Sequence, residues 1–181
     1  LIAYDNKLTS LDTSLNPDLI SFYCNDNNLK SIDISKNRKL RYINCAGNKL
    51  FELNVENNKK LVQLYCDCNR IAEINICGCK NLTRLIVSDN KFLNLNVSQN
   101  KKLWWLYCEK NKLETLDITY NPKLSELCCW SNKLKEIDIS KNKALKILEC
   151  GDNKLTSLDV TQNENLAKLW CRWNSITELD L

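Results

Sequence analysis

Histidine and methionine are absent from this 181-residue chain, which holds only three glycines and two prolines. Without histidine, the usual catalytic triads and imidazole acid–base chemistry are excluded. Gly47, Gly78 and Gly151 stand too far apart to form a phosphate-cradling loop. No apolar run is long enough to cross a bilayer, so no membrane insertion is expected within these residues. Charge of one sign is also missing: 26 Lys and Arg face 22 Asp and Glu, for a net charge of +4.

Asparagine, by contrast, recurs at Asn6, Asn27, Asn48, Asn69, Asn90, Asn111, Asn132, Asn153 and Asn174, every 21 residues without an insertion. So strict a period describes a stack of equivalent coils, in which residues one period apart are spatial neighbours. With Leu19 as position one, the pattern is L-x-x-L-x-C-x-x-N-x-L-x-x-L-D-V-S-x-N-x-x. Apolar residues hold positions one, four, six, eleven, fourteen and sixteen almost throughout. No coil buries enough surface to fold alone, so stacking must supply the rest. Residues 1–181 therefore read as one domain of about eight to nine coils. The chain starts at position four and stops at position sixteen, which predicts a piece of a longer protein.

Within a coil the apolar period is two. Leu64, Tyr65 and Cys66 run in–out–in, and Ile137, Asp138, Ile139 and Ser140 repeat the alternation on the other side. Two strands and two corners leave little room for a helix in 21 residues. We expect parallel strands on both faces and gentle curvature. At the corners, an Asn carboxamide offers both a donor and an acceptor, so it can serve its own coil and the neighbouring one. A second row at position nineteen (Asn16, Asn37, Asn58, Asn100, Asn121, Asn142, Asn163) is expected to do the same, interrupted by Cys79.

Eleven cysteines would suggest disulfides or zinc, and the lattice argues against both. Seven occupy position six (Cys24, Cys45, Cys66, Cys108, Cys129, Cys150, Cys171), where Ala3 and Val87 also fit, so the slot is apolar. Their Cβ vectors are parallel, whereas disulfides need converging ones. Cys66 and Cys68 fall on one face, Cys77 and Cys79 on the other, which does not suit tetrahedral zinc. Cys128, at position five, is expected to be exposed and reactive.

The L-x-x-L-x-C-x-x-N-x-L pattern resembles the leucine-rich repeat consensus. The 21-residue period with cysteine at position six, and segments such as LTSLDVTQN, LKEIDISKN and LETLDITYN, resemble the bacterial internalin J group. The resemblance covers the whole chain. It implies a leucine-rich repeat solenoid with a parallel β-sheet on the concave face, short strands and turns on the convex face, and little or no helix. It also implies a secreted or cell-surface adhesion or virulence protein that binds a host or bacterial surface protein, so an extracellular setting is expected by resemblance alone.

Outward positions three, five, seven and eight of the inner sheet carry nine of the eleven Trp and Tyr residues. Folding does not require aromatics there, and exposed Trp and Tyr in a contiguous strip are common interface anchors. The candidate ligand-binding residues are Tyr23, Tyr42, Tyr65, Trp105 and Tyr107 toward the N-terminus. Trp130, Glu149, Gly151, Trp170, Arg172 and Trp173 follow toward the C-terminus. Gly151 leaves a dip between Trp130 and Arg172 that could receive a partner side chain. Trp130→Ala, or a bulky residue at 151, is expected to weaken binding with little effect on thermal stability. Cross-strand stacking that merely stabilises the sheet is the plainer alternative.

A carbohydrate-binding surface and a structural spacer remain as other functions. Lysines at positions ten, twenty and twenty-one could meet nucleic acid. The low net charge and the Asp row at position fifteen argue against it. That Asp row could bind Ca²⁺ weakly, but pairing with nearby lysines is expected instead. Neither a metal nor a cofactor is expected. A shallow sheet offers no cleft for paired catalytic carboxylates, so the chain is not read as an enzyme.

Overall fold

The computed structural model describes all of residues 1–181. Each coil contributes one three-residue strand to a parallel sheet. The strands are β1 (Ser21–Tyr23), β2 (Tyr42–Asn44), β3 (Gln63–Tyr65), β4 (Arg84–Ile86), β5 (Trp105–Tyr107), β6 (Glu126–Cys128), β7 (Ile147–Glu149) and β9 (Lys168–Trp170). They pair in coil order, each residue opposite the one 21 positions later, as in Phe22↔Ile43↔Leu64. An isolated bridge from Ile2 to Tyr23 continues the ladder into the first coil.

The middle residue of each strand points inward, and the positions four, six, eleven and sixteen of successive coils stack into one continuous core. The position-six row of that core is fully buried from Cys24 to Cys150 and half-buried at Cys171. All eleven cysteines are free. Burial raises the thiol pKa of Cys24 and Cys150 to about 12, and pushes Cys45 and Cys129 well above the ordinary value. The ladder is a row of small apolar side chains.

Strands on both faces were expected, and the convex side differs. Only β8 (Ser157–Asp159) and β10 (Glu178–Asp180) pair there. In the other coils, positions sixteen to nineteen form a turn, with the position-nineteen N–H donating to the position-sixteen carbonyl (Asn37 to Ile34, 3.1 Å). A second turn follows at once (Leu40 N–H to Asn37 carbonyl, 3.1 Å). The extended residues before these turns carry no ladder between coils. Backbone hydrogen bonds thus join the coils on the sheet side, while the corner opposite is bridged by Asn side chains.

The position-nine Asn row works as expected. Asn90 accepts from Ile71 N–H (2.9 Å) of the preceding coil and donates to the Cys66, Val87 and Ser88 carbonyls (3.0, 3.2 and 3.1 Å). The position-nineteen row does only half of this. Asn121 donates to the Val97 and Asn100 carbonyls (3.1 and 3.0 Å), but its buried Oδ1 has no partner, as at Asn58, Asn100, Asn142 and Asn163. In the first coil Thr13 stands where the next seven coils have Ile or Val, and its hydroxyl donates to Asn37 Oδ1 at 2.8 Å. A donor alone therefore suffices in that row. This explains Cys79, whose thiol faces the Asn58 and Val55 carbonyls at 3.8 and 4.0 Å.

The position-fifteen row also departs from expectation. Its Asp residues do not pair with lysines, since the single salt bridge in the structure joins Lys39 to Asp18. Instead the carboxylates of Asp12, Asp33, Asp117, Asp138 and Asp159 accept the backbone N–H two residues on, at 2.8 Å from Ser14 to Asp12 and 3.0 Å from Thr119 to Asp117. Asn54, Asn75 and Asn96 make the same bond without charge. The row is a ladder of Asx turns that start the convex corner.

Candidate functional site

Positions three and five of every strand point away from the core, and position seven continues the concave surface beyond the strand. Position eight then takes the left-handed conformation in all nine coils, with φ between 49° and 62°. Its N–H still donates to the position-seven carbonyl of the next coil, as in Asp152 to Arg172 (2.9 Å). The backbone turns there without breaking the ladder. Asp and Gly suit that conformation; Cys68, Lys110, Ser131 and Trp173 suit it less.

Across the sheet, position five reads Tyr23, Asn44, Tyr65, Ile86, Tyr107, Cys128, Glu149, Trp170 in adjacent strands. Tyr23, Tyr42 and Tyr65 are half-buried on the N-terminal half, and the Tyr65 hydroxyl donates to Gln63 Oε1 at 3.2 Å. Trp105 stacks on Trp104 and on Tyr107, with ring centroids 5.4 and 6.3 Å apart. The guanidinium of Arg84 lies 4.0 Å from the Trp105 ring centroid and covers one of its faces.

Between the two aromatic groups lies a patch of acids. The Tyr107 hydroxyl donates to Glu126 Oε2 at 2.7 Å, and Glu109 has a buried Oε2 without a partner. Burial and the Glu126 carboxylate raise the Tyr107 hydroxyl pKa well above its ordinary value. Burial first, and the Glu109 carboxylate two coils on, also raise the carboxyl of Asp67 in the Tyr65 coil. Cys128 sits inside this patch, buried at 8% exposure, with its thiol toward Glu149 Oε2 at 3.6 Å. Burial first, and the Glu109 and Glu149 carboxylates second, push its pKa far up. Cys128 is therefore protonated and inert, not exposed and reactive, because neighbouring acids cover a side chain shorter than they are.

Toward the C-terminus the surface opens into a cleft of about 260 Å³. It is lined by Trp130, Glu149, Gly151, Asp152, Trp170, Arg172 and Trp173. Trp170 and Trp173 are 45% and 68% exposed, large values for tryptophan. Cations flank the rings: Lys110 Nζ lies 5.1 Å from the Trp130 centroid, and the Arg172 guanidinium 4.3 Å from that of Trp173. Gly151 is buried, and a Cβ there would stand 3.0 Å from the Arg172 carbonyl oxygen and 3.3 Å from Arg172 Cγ. A bulky residue at 151 would thus strain the coil as well as fill the dip. The expectation of unchanged stability is corrected for that substitution.

No protein-family model matches the chain, and no curated protein matches its sequence. Among solved structures it is similar to the functional domain of InlJ from Listeria monocytogenes, which includes a cysteine ladder. Identity is 29%, the TM-score is 0.69, and the match covers 99% of this chain and 50% of that one. A leucine-rich repeat protein of Leptospira interrogans matches at 27% identity and TM-score 0.91, again over 99% of this chain and 50% of the other.

The chain is a leucine-rich repeat solenoid with an internalin J-like cysteine ladder. Internalin C2 of Listeria monocytogenes, at 18% identity and TM-score 0.87 over 93% of this chain and 79% of that one, shares the fold. The chain spans about half the length of the first two structures. No helix of the solenoid is long and apolar enough to cross a membrane.

Sequence reasoning missed the acidic centre and Asp152. Asp67 and Glu109 at position seven, with Glu126 and Glu149 on adjacent strands, carried that signal once the rows were aligned. It also missed the left-handed conformation at position eight of this leucine-rich repeat. The four Asp of that row, with Gly47 among them, were the available clue.

Proposed function

We propose that this solenoid is a non-enzymatic protein-binding module that grips its partner on the concave aromatic face, with the Trp130–Trp170–Trp173 cleft as the anchor point. One observation carries the reading: Trp130, Trp170 and Trp173 come together around one cleft, with Lys110 and Arg172 against the rings and Trp173 in the left-handed slot at φ 57°. A bulky residue in that conformation costs about 1–3 kcal/mol and persists at sites where function needs it. The Arg172 guanidinium meets one side of the ring at 4.3 Å and the rest of it stays exposed beside the cleft. A secreted or surface setting and an adhesive role in a bacterium follow from the resemblance to the internalin J group.

The cations on the rings favour protein over glycan. Sugars stack on free aromatic faces, whereas Arg84 lies over Trp105 and Arg172 over Trp173. The pairing of cationic and aromatic groups around a pocket suits a partner side chain with its own carboxylate or aromatic ring.

The test sets Trp130→Ala and Trp173→Gly beside the unchanged chain in binding to host-cell and bacterial surface proteins and to a glycan array. Each variant should bind its protein partner roughly tenfold or more weakly. Trp173→Gly should at the same time melt no lower than the parent. Binding confined to glycans, or protein affinity indifferent to both substitutions, overturns the reading.

A further inference from the structure

The concave face does not use the most strongly charged surface of the molecule. At the corner that leads into each strand, eight of the ten residues at positions twenty and twenty-one between Arg38 and Lys123 are basic and none is acidic. Position ten, on the opposite edge of the sheet, also carries Lys49, Arg70, Lys91 and Lys112, but at most one basic residue per coil there against two along most of this edge. Successive coils repeat at about 4.8 Å, so the strip runs straight for roughly 20 Å along the solenoid axis.

Little in the chain neutralises it. Lys39 alone has an ion pair, to Asp18 at 2.6 Å, and Lys102 Nζ donates to Asn81 Oδ1 at 2.7 Å. The strip is not flat. Lys39, Lys60 and Lys102 stand on one side of an open channel of about 570 Å³, with Arg41 and Thr83 on the other. The channel's backbone carbonyls are already engaged: that of Val62 accepts from Thr83 N–H at 2.8 Å and from the Thr83 hydroxyl at 3.1 Å. No free acceptor in that ladder faces an incoming anion.

We propose that this edge binds an extended anionic polysaccharide, a sulfated or uronic acid chain lying along the channel across coils two to five. A trough suits a thread more than a planar lipid surface. Lysine supplies compact point charges for sulfate and carboxylate, while Asn81 and Thr83 provide amide and hydroxyl groups that match sugar hydroxyls. Single-stranded nucleic acid fits less well, because no aromatic side chain lines the channel for base stacking. The proposal is independent of the concave face, which points to protein.

The experiment measures heparin affinity at physiological ionic strength. It compares the parent with a variant carrying Arg41→Gln, Lys60→Gln and Lys102→Gln, all exposed. A control carries Lys91→Gln, Lys112→Gln and Lys133→Gln, which removes the same charge from the position-ten row on the opposite edge of the sheet. The edge variant should bind tenfold or more weakly and the control within twofold of the parent, with melting temperatures alike. Equal loss in both variants, no heparin binding by the parent, or equally tight binding of a single-stranded oligonucleotide overturns the proposal.

Discussion

Single residues in this chain are best understood by their row. At position fifteen, Asp12, Asp33, Asp117, Asp138 and Asp159 all have carboxyl pKa values lowered from 3.8. For Asp117 and Asp159 the chief cause is the bond from a Thr hydroxyl, joined by the backbone N–H. For the others the backbone N–H comes first. A carboxylate whose folded pKa lies below its unfolded one stabilises the fold above the unfolded value, and that contribution disappears as pH falls through the folded value. Acid below about pH 4 should therefore loosen the convex corners. Replacing all five Asp with Asn keeps the acceptor, as Asn54, Asn75 and Asn96 demonstrate, and removes the titration. Thermal melts between pH 2 and 7 should show a flatter acid limb for that variant. An acid limb identical to the parent's would contradict the assignment.

At the scale of the coil, two asparagine rows that look alike do different work. Position nine uses donor and acceptor together and joins three stretches of backbone. Position nineteen uses the donor only. Asn90→Leu should leave the buried Ile71 N–H without a partner, at about 1–3 kcal/mol before relaxation, whereas every carbonyl that Asn90 or Asn121 serves keeps another donor. Denaturant titration should therefore rank Asn90→Leu as clearly the more damaging. Equal losses would mean that the rows are equivalent after all.

The coil also marks how far sequence alone could reach. The period, the inward rows and the outward Trp and Tyr positions were legible because they depend on spacing, and spacing survives in one dimension. The idle Oδ1 at position nineteen was not legible, because Ile and Val stand opposite where Thr13 stands once. Nor was the buried Cys128, whose cover comes from Glu109 and Glu149 in the neighbouring coils. Convex strands were expected from alternation. Alternation records which way side chains point, and two successive turns leave the backbones there unladdered. The candidate face was readable as a list of positions, while its division into stacked aromatics, acids and a cleft required the neighbours.

Over the whole molecule, chemistry is sorted by face. The concave sheet carries aromatics around an acidic centre, one edge carries a basic strip, and the convex side carries short polar turns. Such sorting follows from the lattice: each position in the repeat is repeated down one straight line, so a small bias in composition becomes a surface. The concave face is then free to specialise along its length, from tyrosines at the first strands to the tryptophan cleft near the last. Side-chain oxidation footprinting of the solenoid, alone and with its protein partner bound, tests this account most directly. Trp130, Trp170 and Trp173 should become protected in the complex, while Tyr120, 53% exposed on the convex turns, should oxidise as before. Protection of Tyr120 with continued oxidation of the three tryptophans would contradict the account.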